Sequence, residues 1–347
     1  MDVNLRGTLS SLGGAIFLSA LPRTVRAVLA GVFILAGLSC SPRGSLPGTF
    51  DLFILTDAGG LGDRGKNDLI WRGCQRFAEE TGEPAVKIEK GDPTTVAEGR
   101  EQLKTALAAG ADAVVVGSCY WQKDVLDLAR RYPRTKFIVL EGREGSGNVK
   151  AVNYPVSDTG YLMGVAAAAA VPAGGFGFLA GREDELTREL AAGFAAGVRS
   201  EIPAAIVSTA FLGRDFGSSL DRGRARASAR RMFLSDTGVI FAAAGVSNET
   251  IAAEAKDQGK LVIGFESNQN YLERGYVITS LNIRWDEVIF EELTALRDRR
   301  FKGGVRSLPI GSEYICYPID ANNRALIPAD AVLKIEAARQ RLACGRR

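Results

Sequence analysis

The sequence predicts an α/β protein of two lobes, each a doubly wound parallel sheet, and three observations predict it. The chain is 347 residues long, more than one hydrophobic core usually serves. Short β-rich apolar runs alternate with helical stretches, and that rhythm runs through once and then restarts, as in parallel sheets joined by crossover helices. The strands are near-continuous apolar runs such as Ala113-Val114-Val115-Val116, which reads as burial on both faces beneath covering helices.

At the N-terminus, Arg23 and Arg26 precede an apolar run at 27–39, which is followed by Cys40-Ser41-Pro42-Arg43-Gly44. That is the order of a secretory signal. The run is shorter than the ~20 residues a membrane-spanning helix needs and lacks basic stop-transfer flanks. Gly37-Leu38-Ser39-Cys40 resembles a lipobox, with Gly37 where leucine is usual. It implies a lipoprotein signal peptide at 1–40, lipid on Cys40, and an exported protein anchored to the cell membrane on its periplasmic or extracellular face. A second apolar patch at 13–18 makes the signal look doubled, so the translation start is expected near Leu21. Ser, Pro and Gly at 41–48 mark a flexible tether.

Strands are then expected at 50–55, 85–89, 113–117, 136–140 and 149–154, with helices at 66–81, 94–109 and 122–132. The second round places strands at 174–179, 205–210, 238–243, 261–265 and 276–281, with helices at 159–171, 184–200, 219–235 and 247–258. A helix at 285–299, a short strand at 313–317 and a closing helix at 328–342 are expected to cross back between the lobes. The N-terminal lobe is thus 49–154 plus about 284–312, and the C-terminal lobe 155–283 plus about 313–342. Ligands of such sheets bind at the carboxyl ends of the strands.

Composition narrows the chemistry. Apolar residues make up 46% and charged residues 24%, which argues against disorder and against a membrane channel. The net charge is +3, and the one basic cluster, Arg222, Arg224, Arg226, Arg230 and Arg231, alternates with Ala225, Ala227, Ala229 and Met232. That pattern reads as a solvated helix face; nucleic-acid binding would want a broader basic stripe. The chain contains no histidine, which removes the commonest general base and transition-metal ligand. Cys74, Cys119, Cys316 and Cys344 are far apart with no C-x-x-C pair, so no zinc site is implied and their pairing is open. No cofactor, metal or catalytic residue is expected. The one enzymatic alternative is an NAD-dependent oxidoreductase, because Gly60, Gly62 and Gly65 satisfy G-x-G-x-x-G after the first strand and Glu89 ends the second. The export signal and the charged Asp63 and Arg64 inside the turn argue against it.

The same loop carries a different resemblance. Thr56-Asp57-Ala58-Gly59 with Asp63 and Asn67, then Trp71-Arg72-Gly73, Phe137-Ile138-Val139-Leu140-Glu141, Gly160-Tyr161-Leu162-Met163-Gly164, Ala192-Gly193-Phe194-Ala195-Ala196-Gly197 and Val262-Ile263-Gly264-Phe265-Glu266 follow in order. In that order and spacing the chain resembles the basic membrane protein family of substrate-binding lipoproteins, which includes the purine nucleoside receptors of ABC importers. The resemblance implies a type I periplasmic-binding-protein fold with a ligand closed between the lobes, partnership with an ABC permease and ATPase, and no catalysis.

Carried over residue by residue, the resemblance implies a ligand-binding set. Asp57 and Asn67 match a polar pair that contacts the ligand, and Lys66 stands where a stacking aromatic belongs. A second aromatic falls on Phe211 or Phe216, two pocket aspartates become Glu141 and Glu266, and a pocket lysine falls on Ile283, with Asn282 or Arg284 to compensate. Ser118 and Tyr120 end the third strand beside Cys119, itself read as a small buried filler, and Gly245 follows the 238–243 strand. The expected solute is nucleoside-like or sugar-like but held by altered chemistry, with Lys66 donating to an acceptor-rich or anionic group. The alternative is a surface or interaction lipoprotein that kept the fold and lost the transport pocket.

Overall fold

The computed structural model describes residues 48–82 and 85–345. The segment expected to be a signal peptide, Cys40 and the expected tether up to residue 47 lie outside the described residues. Among those residues no helix is long and apolar enough to cross a membrane.

The first sheet contains β1 (Thr49–Leu55), β2 (Ala85–Gly91), β3 (Ala113–Val116), β4 (Lys136–Leu140), β5 (Val149–Asn153) and, returning late in the chain, β11 (Gly304–Ser307). Its order is β2-β1-β3-β4-β5-β11, and every pairing is parallel. The second sheet contains β6 (Gly175–Arg182), β7 (Val207–Gly213), β8 (Thr237–Ala243), β9 (Leu261–Glu266), β10 (Val277–Ile283) and β12 (Ile315–Cys316), in the order β7-β6-β8-β9-β10-β12. Only β12 runs antiparallel, against β10. The two orders match strand for strand, so β4 and β9 hold equivalent places.

Helices α1 (Lys66–Thr81), α2 (Val96–Ala108) and α3 (Gln122–Arg131) serve the first sheet, and α4 (Val156–Ala170), α5 (Glu185–Glu201), α6 (Arg222–Leu234) and α7 (Asn248–Asp257) the second. The chain then crosses back: α8 (Trp285–Arg297) packs on α1, and α9 (Ala329–Ala343) on α4. One apolar core covers a face of both sheets and joins them around Tyr154 and Trp285, whose rings meet edge to face at 6.0 Å. Separate clusters around Trp121 and around Phe233 fill the opposite faces.

The parallel sheets follow from the sequence as expected, with one strand missed. Gly304-Val305-Arg306-Ser307 has no apolar run, because β11 is an edge strand that pairs on one side only. Arg306 ties it down by ion pairs of 2.8 Å to Glu291 and Glu292 on α8. The strand expected at 313–317 contracts to Ile315–Cys316, and β6 continues three residues beyond the expected end, to Arg182. Cys74, Cys119, Cys316 and Cys344 carry no disulfide.

The contact between α4 and α5 is the closest helix pairing of the fold. Gly160 and Gly164 face the carbonyls of Leu190 and Phe194, while Gly193 and Gly197 face those of Ser157 and Tyr161. A Cβ at any of the four would overlap backbone of the neighbouring helix. In an open helix, Gly→Ala is worth up to about 1 kcal/mol of added stability; in a filled interface an extra carbon costs about 1–3 kcal/mol. Gly164→Ala is therefore expected to lower the urea midpoint of unfolding by an amount corresponding to about 1–3 kcal/mol; an unchanged or raised midpoint would contradict backbone contact here.

Candidate functional site

The carboxyl ends of both sheets face each other across a cleft that retains a cavity of about 250 Å³. The loop after β1 enters it first. Asn67, on the first turn of α1 and fully buried, receives the backbone N–H of Asp57 on Oδ1 (3.1 Å) and donates through Nδ2 to Asp57 Oδ1 (2.7 Å) and Asp63 Oδ2 (2.9 Å). Its amide is therefore committed. Asn67 does not line the cavity, contrary to the expected ligand contact, and instead fixes the carboxylate of Asp57, which does.

The glycine turn has closed its own anion site. The backbone N–H groups of Gly65, Asn67 and Asp68 donate to Asp63, and those of Gly62 and Arg64 to Asp68. A pyrophosphate needs those donors free at the helix N-terminus, and here two carboxylates occupy them. Glu89, which the oxidoreductase reading assigns to a ribose, is paired with Lys87 at 2.6 Å on the exposed edge strand β2. Burial, aided by Asp57, raises the Asp63 carboxyl to about 6 against its three backbone donors.

At the centre of the cleft stands Lys66. Its side chain is 4% exposed, and its Nζ lies 2.9 Å from Glu141, 3.4 Å from Glu266 and 3.5 Å from Asp57. Burial works against its charge, but the three carboxylates prevail and hold the ammonium well above the ordinary lysine value. Glu141 follows the last residue of β4 and Glu266 is the last of β9, so the two glutamates come from equivalent places in the two sheets. Both have left-handed backbone, with φ of 61° and 72°. For a side-chain-bearing residue that conformation costs of order 1–3 kcal/mol and persists where surroundings over-determine it. Burial raises both carboxyls, Glu266 to about 8 despite the opposing pull of Lys66.

Lys66 is expected from the sequence to donate to an acceptor-rich or anionic group of the solute; here its donors face the protein's own carboxylates. Its ammonium is enclosed by carboxylates, which would repel an anion. It also answers the loss of the lysine implied at position 283. Ile283 is fully buried and apolar, and Lys66 brings a cation to Glu266 from the opposite lobe.

An aromatic wall completes the cavity. Phe216, in the loop after β7, crosses to the first lobe and packs edge to face on Tyr120 (5.5 Å) and Trp121 (5.4 Å). Of the two candidate phenylalanines, Phe216 lines the cavity, whereas Phe211 lies on edge strand β7 and packs on Phe178 at 6.4 Å. Phe211 is absent from the cleft because side chains alternate along a strand and its ring turns to the helix layer. Asn282 is likewise displaced: its amide donates to Cys316 Sγ at 3.3 Å, and it borders a separate groove with Trp71 and Tyr271. Ser118, Tyr120 and Gly245 line the cavity as expected, and so does Cys119.

Residues missed from the sequence are Arg143, Arg182, Asp184 and Ser219. Arg182 ends β6 with its guanidinium 4.1 Å above the Tyr120 ring, and its buried Nε has no hydrogen-bond partner. Asp184 caps α5 and receives the Tyr120 hydroxyl at 3.3 Å. Ending the strand at 179 hid them; its true end places Arg182 and Asp184 in the cleft. At the rim, Arg143 reaches Glu185 (2.7 Å) and Glu189 (3.0 Å), and Arg64 reaches Glu249 (2.7 Å), each across the two lobes.

Residues 50–307 match the Bmp family model, described as ABC transporter substrate-binding protein PnrA-like. A Listeria monocytogenes protein named CD4+ T-cell-stimulating antigen is 27% identical over 322 residues, covering 85% of this chain and 87% of that one. The ABC transporter nucleoside-binding protein BmpA of Lactococcus lactis is 25% identical over 310 residues, covering 80% and 84%. In fold, the chain superposes on an ABC transporter solute-binding protein from Aeropyrum pernix with a TM-score of 0.76 at 21% identity, over 85% of this chain and 92% of that one.

The central ion cluster has a pH signature. Glu266 ionises near 4.5 when unfolded and near 8 when folded, so the native state binds the extra proton between those values and stability falls as pH rises through that window. Lys66→Met removes the one cation facing the three carboxylates. It is expected to cost about 3–5 kcal/mol at pH 8 and clearly less at pH 5, where Glu266 is protonated. Chemical denaturation at both pH values measures the difference; a pH-independent loss would exclude the cluster as its cause.

Proposed function

This chain belongs to the Bmp family of PnrA-like ABC transporter substrate-binding proteins, and from that premise we propose that it captures a nucleoside-like or sugar-like solute between its lobes and delivers it to an ABC permease and its ATPase. The observation that carries this reading is the cleft itself, a cavity of about 250 Å³ reached by polar groups of both lobes and bounded by the Phe216 ring. Glu141 and Glu266 offer carboxyl oxygens to hydroxyl donors, as a ribose or pyranose presents. Arg182 and the hydroxyls of Ser118 and Ser219 offer donors, and the Phe216 ring offers a flat apolar face to a base or sugar. The nucleoside-binding relative of Lactococcus lactis supports the nucleoside half of the reading.

Attachment through a lipid on Cys40, on the external face of the membrane, is part of the same proposal and rests on the lipobox-like Gly37-Leu38-Ser39-Cys40. The lobe boundaries follow the sheets, 49–154 with about 284–312 and 155–283 with about 313–342. A surface lipoprotein that has lost its transport pocket is the competing reading, and the open cavity tells against it.

Mass spectrometry of small molecules released by denaturing freshly purified protein tests the proposal, and a nucleoside, pentose or hexose is the expected finding. Titration calorimetry with the identified compound should show Phe216→Ala weakening binding by roughly 5- to 150-fold, from the ~1–3 kcal/mol that aromatic stacking on a base is worth. A protein that purifies empty and binds no compound of a nucleoside and sugar panel would return the weight to the interaction reading.

A further inference from the structure

The charged groups of the cleft are unequal in a way that the solute-binding reading leaves unexplained. Asp57, Glu141 and Glu266 converge on one point, and Nζ of Lys66 occupies it at 2.9–3.5 Å. The carboxylates come from both lobes, two of them on left-handed backbone. An ammonium has three N–H donors, and three carboxylates surround it. The lysine reaches this point from the first turn of α1, with its stem buried against the cleft wall.

We infer that Asp57, Glu141 and Glu266 form an ammonium-binding site whose occupant is the chain's own Lys66, and that this resident cation restricts the cleft to uncharged, hydroxyl-bearing solutes. The second half rests on the proposed role of the cleft in solute capture; the first half does not.

The selectivity follows from position and charge. A phosphate or carboxylate entering the cavity meets Asp57 and Glu141 around Lys66, with Asp184 beside them, while the other cations that line it are already engaged, Arg143 by Glu185 and Glu189 at 2.7 and 3.0 Å and Arg182 by Asp184 at 3.8 Å. A solute ammonium finds the one point between the three carboxylates already filled, and would stand beside Nζ of like charge. A hydroxyl meets neither obstacle. It can donate to the carboxyl oxygens that Lys66 leaves open and accept from Arg182, whose Nε makes no hydrogen bond and lies 3.8 Å from Asp184.

Chemical rescue tests the site. Lys66→Ala removes three methylenes and the ammonium, the shape of n-propylammonium, which is the probe. Thermal melting of the Lys66→Ala protein at pH 8 is expected to show a saturable rise of roughly 2–4 °C with n-propylammonium chloride. No such rise is expected with n-propanol, with sodium chloride at equal ionic strength, or with the wild type. Lack of a saturable rise in the variant, or an equal rise in the wild type, overturns the ammonium site. If Lys66→Ala does not fold, Lys66→Ala/Glu266→Gln, which carries less uncompensated charge, takes its place with the same two outcomes.

The selectivity is read separately, from the net charge of the compound that co-purifies with the wild type. A neutral polyhydroxylated compound is expected, whereas an anionic or cationic one overturns the restriction and leaves the ammonium site standing. Rescue of the variant together with a wild type that binds no nucleoside or sugar would refute solute capture alone.

Discussion

A single buried ammonium shared between two lobes organises the cleft of this protein. Lys66 draws Glu141 and Asp57 from its own lobe and Glu266 from the other, at distances where each pairing is direct. Neighbouring groups depend on that arrangement in turn. Asp57 is aimed by Asn67, Asn67 is held by Asp63, and Asp63 is satisfied by the first backbone N–H groups of α1, the helix that carries Lys66. Both glutamates accept an unfavourable backbone conformation. A buried charge without partners is costly, so neither the lysine nor the carboxylates are tolerable alone.

The same cation ties the cleft to lobe closure. Lys66 and Glu266 face each other across the lobes, as do Phe216 and the Tyr120–Trp121 pair. At the rim, Arg64–Glu249 and Arg143–Glu185 are about half exposed or more on at least one side. Exposed pairs contribute ~0–1 kcal/mol each and weaken in salt. The buried lysine and the aromatic wedge therefore contribute most to holding the lobes together, and the rim pairs align them.

Much of this was legible in the sequence. Alternating apolar runs gave the two parallel sheets, and α1 begins and ends where its pattern does. The candidate set included Asp57, Lys66, Glu141, Phe216 and Glu266, all of which line the cavity. What the sequence concealed has physical reasons. Edge strand β11 needs backbone pairing and few apolar side chains, so it carries no hydrophobic signature. Arg182 and Asp184 were lost with the last turn of β6, because a glycine and an arginine end its apolar run. Phe211 and Phe216 are equally aromatic; the pleat of β7 turns the first to the helix layer, and the loop beyond the strand carries the second into the cleft. Asn67 positions Asp57 and does not line the cavity, and the sequence could not show this, since a residue that contacts a ligand and one that positions its neighbour have the same amide. The partnership of Lys66 with Glu266 joins positions 200 apart, and no local pattern encodes it.

The glycine seam between α4 and α5 has a mechanical consequence. With no side chains between the helices, their backbones meet directly and leave little to slide or compress. The pair acts as a stiff beam, rooted where the chain first enters the second lobe at Pro155 and Val156. Asp184 caps one helix of that beam and projects into the cavity. Any swing of the second lobe must therefore carry that carboxylate as a rigid pointer, and the bending has to be absorbed in the three short crossings, around residues 154, 284 and 308–314.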